Sequence, residues 1–187
     1  MVKICFIGAG STIFAKNVLG DAMLTPSLQD AEIALYDIDE NRLKESELML
    51  QTINKNSNQN RAKIKSFSDR KEALKDANFV INAIQVGGYK PSTVIDFEIP
   101  KKYGLQQTIG DTTGIGGIFR GLRTLPVMFD IAKDMEEVCP DAWLLNYTNP
   151  MAILTMGMLK ATKIKTVGLS HSVQVCVPEL FEHLGIK

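Results

Sequence analysis

Neither sign of charge dominates this 187-residue sequence. Lysine plus arginine number 21 and aspartate plus glutamate also 21, which gives a formal net charge of zero and a pI of about 6.7. Without a basic stripe there is no electrostatic footprint for nucleic acid or an anionic membrane, so neither is expected as a partner. No run of about 18 apolar residues occurs, and the first residues pass straight into an apolar strand pattern rather than a signal peptide. The three cysteines, Cys5, Cys139 and Cys176, are odd in number and widely scattered, so they compose neither a disulfide framework nor a zinc knuckle. A cytoplasmic location is expected. There is no internal repeat and no linker, and the 45% hydrophobic content suffices for one well-buried core.

What the sequence does contain is organised around its first ten residues. Ile4, Phe6 and Ile7 sit in an apolar run too short for a helix and closed by glycine, the pattern of a central strand covered on both faces. Gly8 and Gly10 permit a tight turn and close approach to a ligand, and Ser11-Thr12 offer N-cap chemistry for a helix to about Met23. A helix N-terminus is an anion site, and a pyrophosphate suits it. The dinucleotide fingerprint G-x-G-x-x-G lacks its third glycine here, Ile13 standing in its place, so closer packing of the first helix is lost or the loop differs. The next strand, Glu32 to Asp37, ends in an acid placed to accept hydrogen bonds from the adenosine ribose hydroxyls. A carboxylate there repels a ribose phosphate, which favours NAD over NADP.

Strand and helix patterns then alternate. Asp39 caps a helix through Leu43, Leu50 and Ile53, which the polar run Asn54–Asn60 is expected to end as a solvated turn. Ala62–Phe67 reads as a strand, Asp69–Ala77 as a short helix, and Asn78–Ile84 as another buried strand followed by the loop Gln85–Gly88. A long loose connection is expected from Tyr89 to Gly121. An amphipathic helix opened by Arg120 and Arg123 should run to about Val138, kinked or restarted near Pro126. The strand Ala142–Tyr147 leads into Thr148-Asn149-Pro150, the strand Lys165–Leu169 into Ser170, His171, Ser172 and Gln174, and a helix covers Pro178–Leu184. This alternation predicts an α/β fold, a Rossmann-type doubly wound parallel sheet with helices on both faces, spanning residues 1–187.

Five stretches carry a family resemblance: Phe6–Thr12, Tyr89–Pro91 with Asp96–Pro100, Gly110–Arg123, Asn146–Pro150 and Gly168–Gln174. With them the chain resembles the N-terminal part of glycoside hydrolase family 4 enzymes, in their alpha-galactosidase branch. The resemblance implies a glycosidase outside the usual two-carboxylate scheme. NAD takes hydride from the sugar C3, a divalent metal such as manganese polarises the ketone, a tyrosine removes the C2 proton, the aglycone is eliminated and water adds.

By the same resemblance, Gly8, Gly10, Ser11, Thr12 and Asp37 match the cofactor positions, and Asn82 and Val86 line the nicotinamide side. Asn146 and Asn149 belong to the sugar side, Asp111 matches an acid beside the tyrosine base, and His171 is the candidate proton donor. The family's metal-binding cysteine falls on Ser170, a neutral hydroxyl in place of a thiolate, so metal should bind weakly. Phospho-sugar members carry an arginine at the position of Thr93, which leaves only Lys90 as a nearby point charge and favours an unphosphorylated sugar. Members are roughly twice as long and hold the second metal histidine and the tyrosine base in their later part. On that basis this chain alone should not turn over glycosides, and a full-length protein should be a homo-oligomer. Two other readings stay open: a lactate/malate-type dehydrogenase, and a dinucleotide-holding module without catalysis.

Overall fold

The computed structural model describes residues 1–107, 112, 114–170 and 172–186. Six strands, β1 (Lys3–Ile7), β2 (Glu32–Tyr36), β3 (Lys63–Phe67), β4 (Phe79–Asn82), β5 (Trp143–Asn146) and β6 (Lys165–Gly168), form a single sheet in the order β3-β2-β1-β4-β5-β6. Every neighbouring pair is parallel. The order reverses between β1 and β4, so their carboxyl ends flank the crevice where open α/β sheets take their ligands.

Alternation along the strands decides which helix lies on which face. Ile4 and Phe6 of β1, with Ile33, Leu35 and Ile81, pack under α1 (Thr12–Leu24) and α2 (Glu40–Ser57) through Leu19, Met23, Leu43 and Leu50. Cys5 and Ile7, with Ala34, Val80 and Leu144, face α3 (Arg70–Leu74), α5 (Gly114–Val138) and α6 (Met151–Ala161) through Leu74, Met128, Ile131, Met135, Leu154 and Met158. Each fully buried Leu, Ile or Met side chain contributes roughly 1.5–3 kcal/mol. The doubly wound sheet read from the sequence is therefore the fold, with helices on both faces.

The departures are local. Much of the connection expected to be loose is helical: the turn Gly88–Thr93, interrupted by extended Lys90 (φ -108°, ψ 131°), runs into α4 (Val94–Lys102), and α5 already begins at Gly114. α4 carries little hydrophobic period because its inward face presents Asp96 and Pro100 while Ile95 and Ile99 stay exposed. α5 passes Pro126 without ending. α2 continues to Ser57 because Asn54 and Asn58 turn inward: Asn54 Nδ2 donates to the Ala62 carbonyl, and Asn58 Nδ2 to the Gln29 carbonyl and to Asn54 Oδ1. Those two asparagines are buried, not part of a solvated turn. α6, which follows Pro150, has apolar residues on most of its circumference, with Met156 and Leu159 exposed, so it shows no amphipathic period. α7 (Ser172–His183) begins before the expected Pro178. Among the described residues no helix is long and apolar enough to cross a membrane.

Candidate functional site

The glycine turn after β1 is held by three backbone bonds. The Gly8 and Ala9 amides both donate to the Tyr36 carbonyl, at 3.0 and 3.1 Å, and the Ser11 amide donates to the Gly8 carbonyl at 3.0 Å. Gly8 has φ +89°, and a Cβ on it would stand 2.7 Å from the Ala83 carbonyl oxygen, so only glycine lets the exits of β1 and β4 meet. A Cβ on Gly10 would stand 2.8 Å from Asp37 Oδ2. From α2, Ser46 donates its hydroxyl to the Ala9 carbonyl at 2.7 Å and braces the turn from below.

Asp37 stands one residue past β2, half-buried. Its Oδ2 accepts the Gly10 amide at 2.6 Å and its Oδ1 the Asp39 amide at 2.9 Å. A carboxylate has about four acceptor sites, so two remain for a diol. Ser11 is the N-cap residue of α1, but its side chain makes no capping hydrogen bond, so the first-turn amides of α1 are left without a side-chain cap. Ile13, where the third fingerprint glycine would stand, is 77% exposed, so its side chain does not wedge α1 away from the sheet. Gly8, Gly10, Ser11, Thr12 and Asp37 thus share one end of the crevice.

On the other side of the crevice, Asn82 ends β4 and Asn146 ends β5, paired in register and both fully buried. Asn82 Nδ2 donates to Asn146 Oδ1 at 3.0 Å and to Thr148 Oγ1 at 3.1 Å, with Met128 Sδ at 3.0 Å. Asn146 Oδ1 also accepts the Thr148 amide, and Asn146 Nδ2 donates to the Thr148 carbonyl, both at 3.2 Å. Because the Thr148 amide can only donate, the Asn146 oxygen is fixed toward it, and Asn82 must present its NH2 to that oxygen. Asn82 Oδ1 is consequently buried without a hydrogen-bond partner among the described residues, a cost of roughly 1–3 kcal/mol. Asn146, expected on the sugar side, has its amide committed within the protein and shapes the turn that carries half-buried Asn149. Val86 lies half-buried in the segment leaving β4.

A feature to which the sequence reading gave no role lies behind this edge. Asp96 of α4 is 2% exposed and paired with Arg123 of α5. Gln107 donates from Nε2 to the Asp96 carbonyl at 3.2 Å and accepts the Gly116 amide on Oε1 at 3.0 Å. No periodic signal in the sequence marks this pair, because Asp96 lies inward while Ile95 and Ile99 are exposed. Thr93 sits beside Gly88, its hydroxyl 3.4 Å from that carbonyl. Asp111 and His171 lie outside the described residues, and Ser170 is exposed after β6. Among the described residues no three His, Cys, Asp or Glu side chains gather as a metal site.

A glycine turn, an uncapped helix start and an acid closing β2 give this α/β protein the crevice arrangement of the dinucleotide fingerprint. The model of the family 4 glycosyl hydrolases matches residues 3–186, and the chain belongs to that family. It is 70% identical over 187 residues to an alpha-galactosidase of Bacillus subtilis (strain 168), covering 100% of this chain and 43% of that one. With an alpha-galactosidase of Rhizobium meliloti (strain 1021) it shares 40% identity over 186 residues, 99% of this chain and 38% of that protein. Its fold superposes on the 6-phospho-beta-glucosidase of Thermotoga maritima, solved with manganese, NAD+ and glucose-6-phosphate, with a TM-score of 0.84 at 28% identity, covering 100% of this chain and 44% of that one. The chain thus spans less than half the length of these relatives.

Proposed function

We propose that this chain is the cofactor-holding part of an NAD-dependent glycosidase acting on unphosphorylated alpha-galactosides. The observation that carries the reading is the Asp37 carboxylate, fixed by the Gly10 and Asp39 amides with two acceptor positions to spare for a ribose diol and a charge that repels a ribose phosphate. NAD, when bound, supplies the hydride acceptor and later donor at the sugar C3. The residues present suit it: Gly8 and Gly10 let its pyrophosphate approach, the amides at the start of α1 meet its negative charge, and Asp37 orients the ribose. Asn149 stands at the β5 exit, the position from which family resemblance has it hold the sugar hydroxyls. Asp111 and His171 keep the roles that resemblance gives them, an acid beside the base and a proton donor.

A divalent metal is a poorer match. Ser170 offers a neutral hydroxyl where the family resemblance expects a thiolate, and Cys176 lies six residues on. Most of the strength of such a metal site would have to come from ligands other than Ser170. The choice of sugar rests on Thr93, which cannot give a phosphate dianion the bidentate cationic contact of arginine, and on the 70% identity to an alpha-galactosidase. The chain by itself is expected to bind NAD without hydrolysing glycosides.

The test is a longer protein containing this domain, assayed with NAD, manganese and reductant against an aryl alpha-galactoside and its 6-phosphate. Hydrolysis of the unphosphorylated sugar that disappears when NAD is stripped is expected. Preference for the phosphorylated sugar would overturn the substrate, and activity without NAD would overturn the mechanism.

A further inference from the structure

We propose that the Thr148 hydroxyl is a positioning group that ties the cofactor side of the crevice to the sugar side, so that NAD bound along the β4 exit orders the turn carrying Asn149. The inference rests on the functional reading above. Thr148 is 3% exposed, and its hydroxyl meets both strand exits at once. It accepts from Asn82 Nδ2 at 3.1 Å and has the Ile84 carbonyl at 3.2 Å to donate to, the Asn82 carbonyl being farther at 3.5 Å. Ile84 opens the segment Ile84–Gly88, which leaves the sheet beside the Gly8 turn, where a dinucleotide passes the switch point.

On the other side, the Thr148 amide and carbonyl are both gripped by the Asn146 side chain, leaving Asn149 as the next residue of a fixed turn. The Tyr147 amide donates to the Asn82 carbonyl at 2.9 Å, and the Leu169 amide to the Asn146 carbonyl at 2.9 Å. The exits of β4, β5 and β6 are therefore joined through one network, in which the Thr148 hydroxyl is the side-chain link from the β5 turn to the Ile84 carbonyl. A buried polar network of this kind has few alternative arrangements, because any departure strands a donor or acceptor away from water. Valine has the same shape as threonine and none of its side-chain hydrogen bonds, whereas serine keeps the hydroxyl.

The experiment is amide hydrogen exchange on the 187-residue chain with and without NAD, for wild type, Thr148→Ser and Thr148→Val. In wild type and Thr148→Ser, NAD should slow exchange at Gln85–Gly88 and also at Tyr147 and Thr148, the latter by about fivefold or more, the lower end of ordinary site-to-site coupling. In Thr148→Val the slowing at Gln85–Gly88 should persist while that at Tyr147 and Thr148 is lost. Equal transmission in the valine variant would overturn the proposal, as would equal loss in the serine variant, since the methyl group and not the hydroxyl would then matter. Should the valine variant fail to fold, wild type still decides: NAD slowing Gln85–Gly88 without touching Tyr147 and Thr148 refutes the link. Wild type that does not bind NAD at all refutes the functional reading, and this inference with it.

Discussion

The proposed cofactor preference comes down to single atoms. Asp37 Oδ2 is 2.6 Å from the Gly10 amide, so the carboxylate is oriented before any ligand arrives and little side-chain entropy remains to be lost on binding. Asp37→Ala should therefore weaken NAD by about 1.5–3 kcal/mol, the range for a hydrogen bond to a charged group. Calorimetric titration of the purified chain checks this, and wild type binding NADP as tightly as NAD would refute the assignment. At Ser170 a neutral hydroxyl stands where the family resemblance expects a group that ligates as an anion. Manganese should bind a longer protein containing this domain more weakly than micromolar. Ser170→Cys should tighten it as pH rises and the thiol ionises. Micromolar binding by the serine form, measured by calorimetry, would show that the hydroxyl suffices.

Helices α4 and α5 present the clearest case of energetics between elements. Their contact includes the Asp96–Arg123 pair, in which the carboxylate is 2% exposed and its Oδ2 has no hydrogen-bond partner among the described residues. Arg123→Met removes the cation from a buried anion and should destabilise the chain by about 3–5 kcal/mol. The double variant Asp96→Leu with Arg123→Met should recover most of that, because neither charge is then stranded. Urea denaturation of the three proteins reads the difference, and equal stability of the double and the single variant would contradict it.

The same helices mark where the sequence was legible and where it was not. β1, β2 and β4 announced themselves as apolar runs closed by glycine, by an acid or by the loop Gln85–Gly88, because a central parallel strand is buried on both faces; β4 itself ends at Asn82, short of the expected Ile84. That local chemistry also singled out Gly8, Gly10 and Asp37, which the structure brings to one end of the crevice. α4 and α6 gave no such signal. One turns a charged residue inward and the other is apolar nearly all round, and periodicity registers neither. The partners of Asn146 and Asp96 were hidden for a related reason: Asn82 lies 64 residues before Asn146, and Arg123 lies 27 after Asp96. Such pairings exist only once the sheet order has brought distant strand ends together.

Across the whole molecule the sheet divides the core in two, and the three thiols fall unequally on that plan. Cys5 in β1 and Cys139 just after α5 lie in the core layer facing α3 and α5, whereas Cys176 on α7 is exposed. Burial pushes the Cys5 thiol far above its ordinary range and the Cys139 thiol up to about 11 from 9.0. At neutral pH both are protonated and shielded, so a thiol reagent should titrate one cysteine in the folded chain and three in denaturant. The linkage has a definite sign. Above pH 9 the unfolded chain releases these two protons while the folded chain keeps them, so the unfolded state binds fewer protons and stability falls as pH rises. Each thiol contributes a slope of up to about 1.4 kcal/mol per pH unit once its unfolded form is ionised; for Cys139 it ends near pH 11. Chemical denaturation between pH 8 and 10.5 should show that decline, and the Cys5→Ala, Cys139→Ala chain should show it much reduced. An identical decline in the two proteins would mean that other groups, not the buried thiols, set the alkaline limit of the fold.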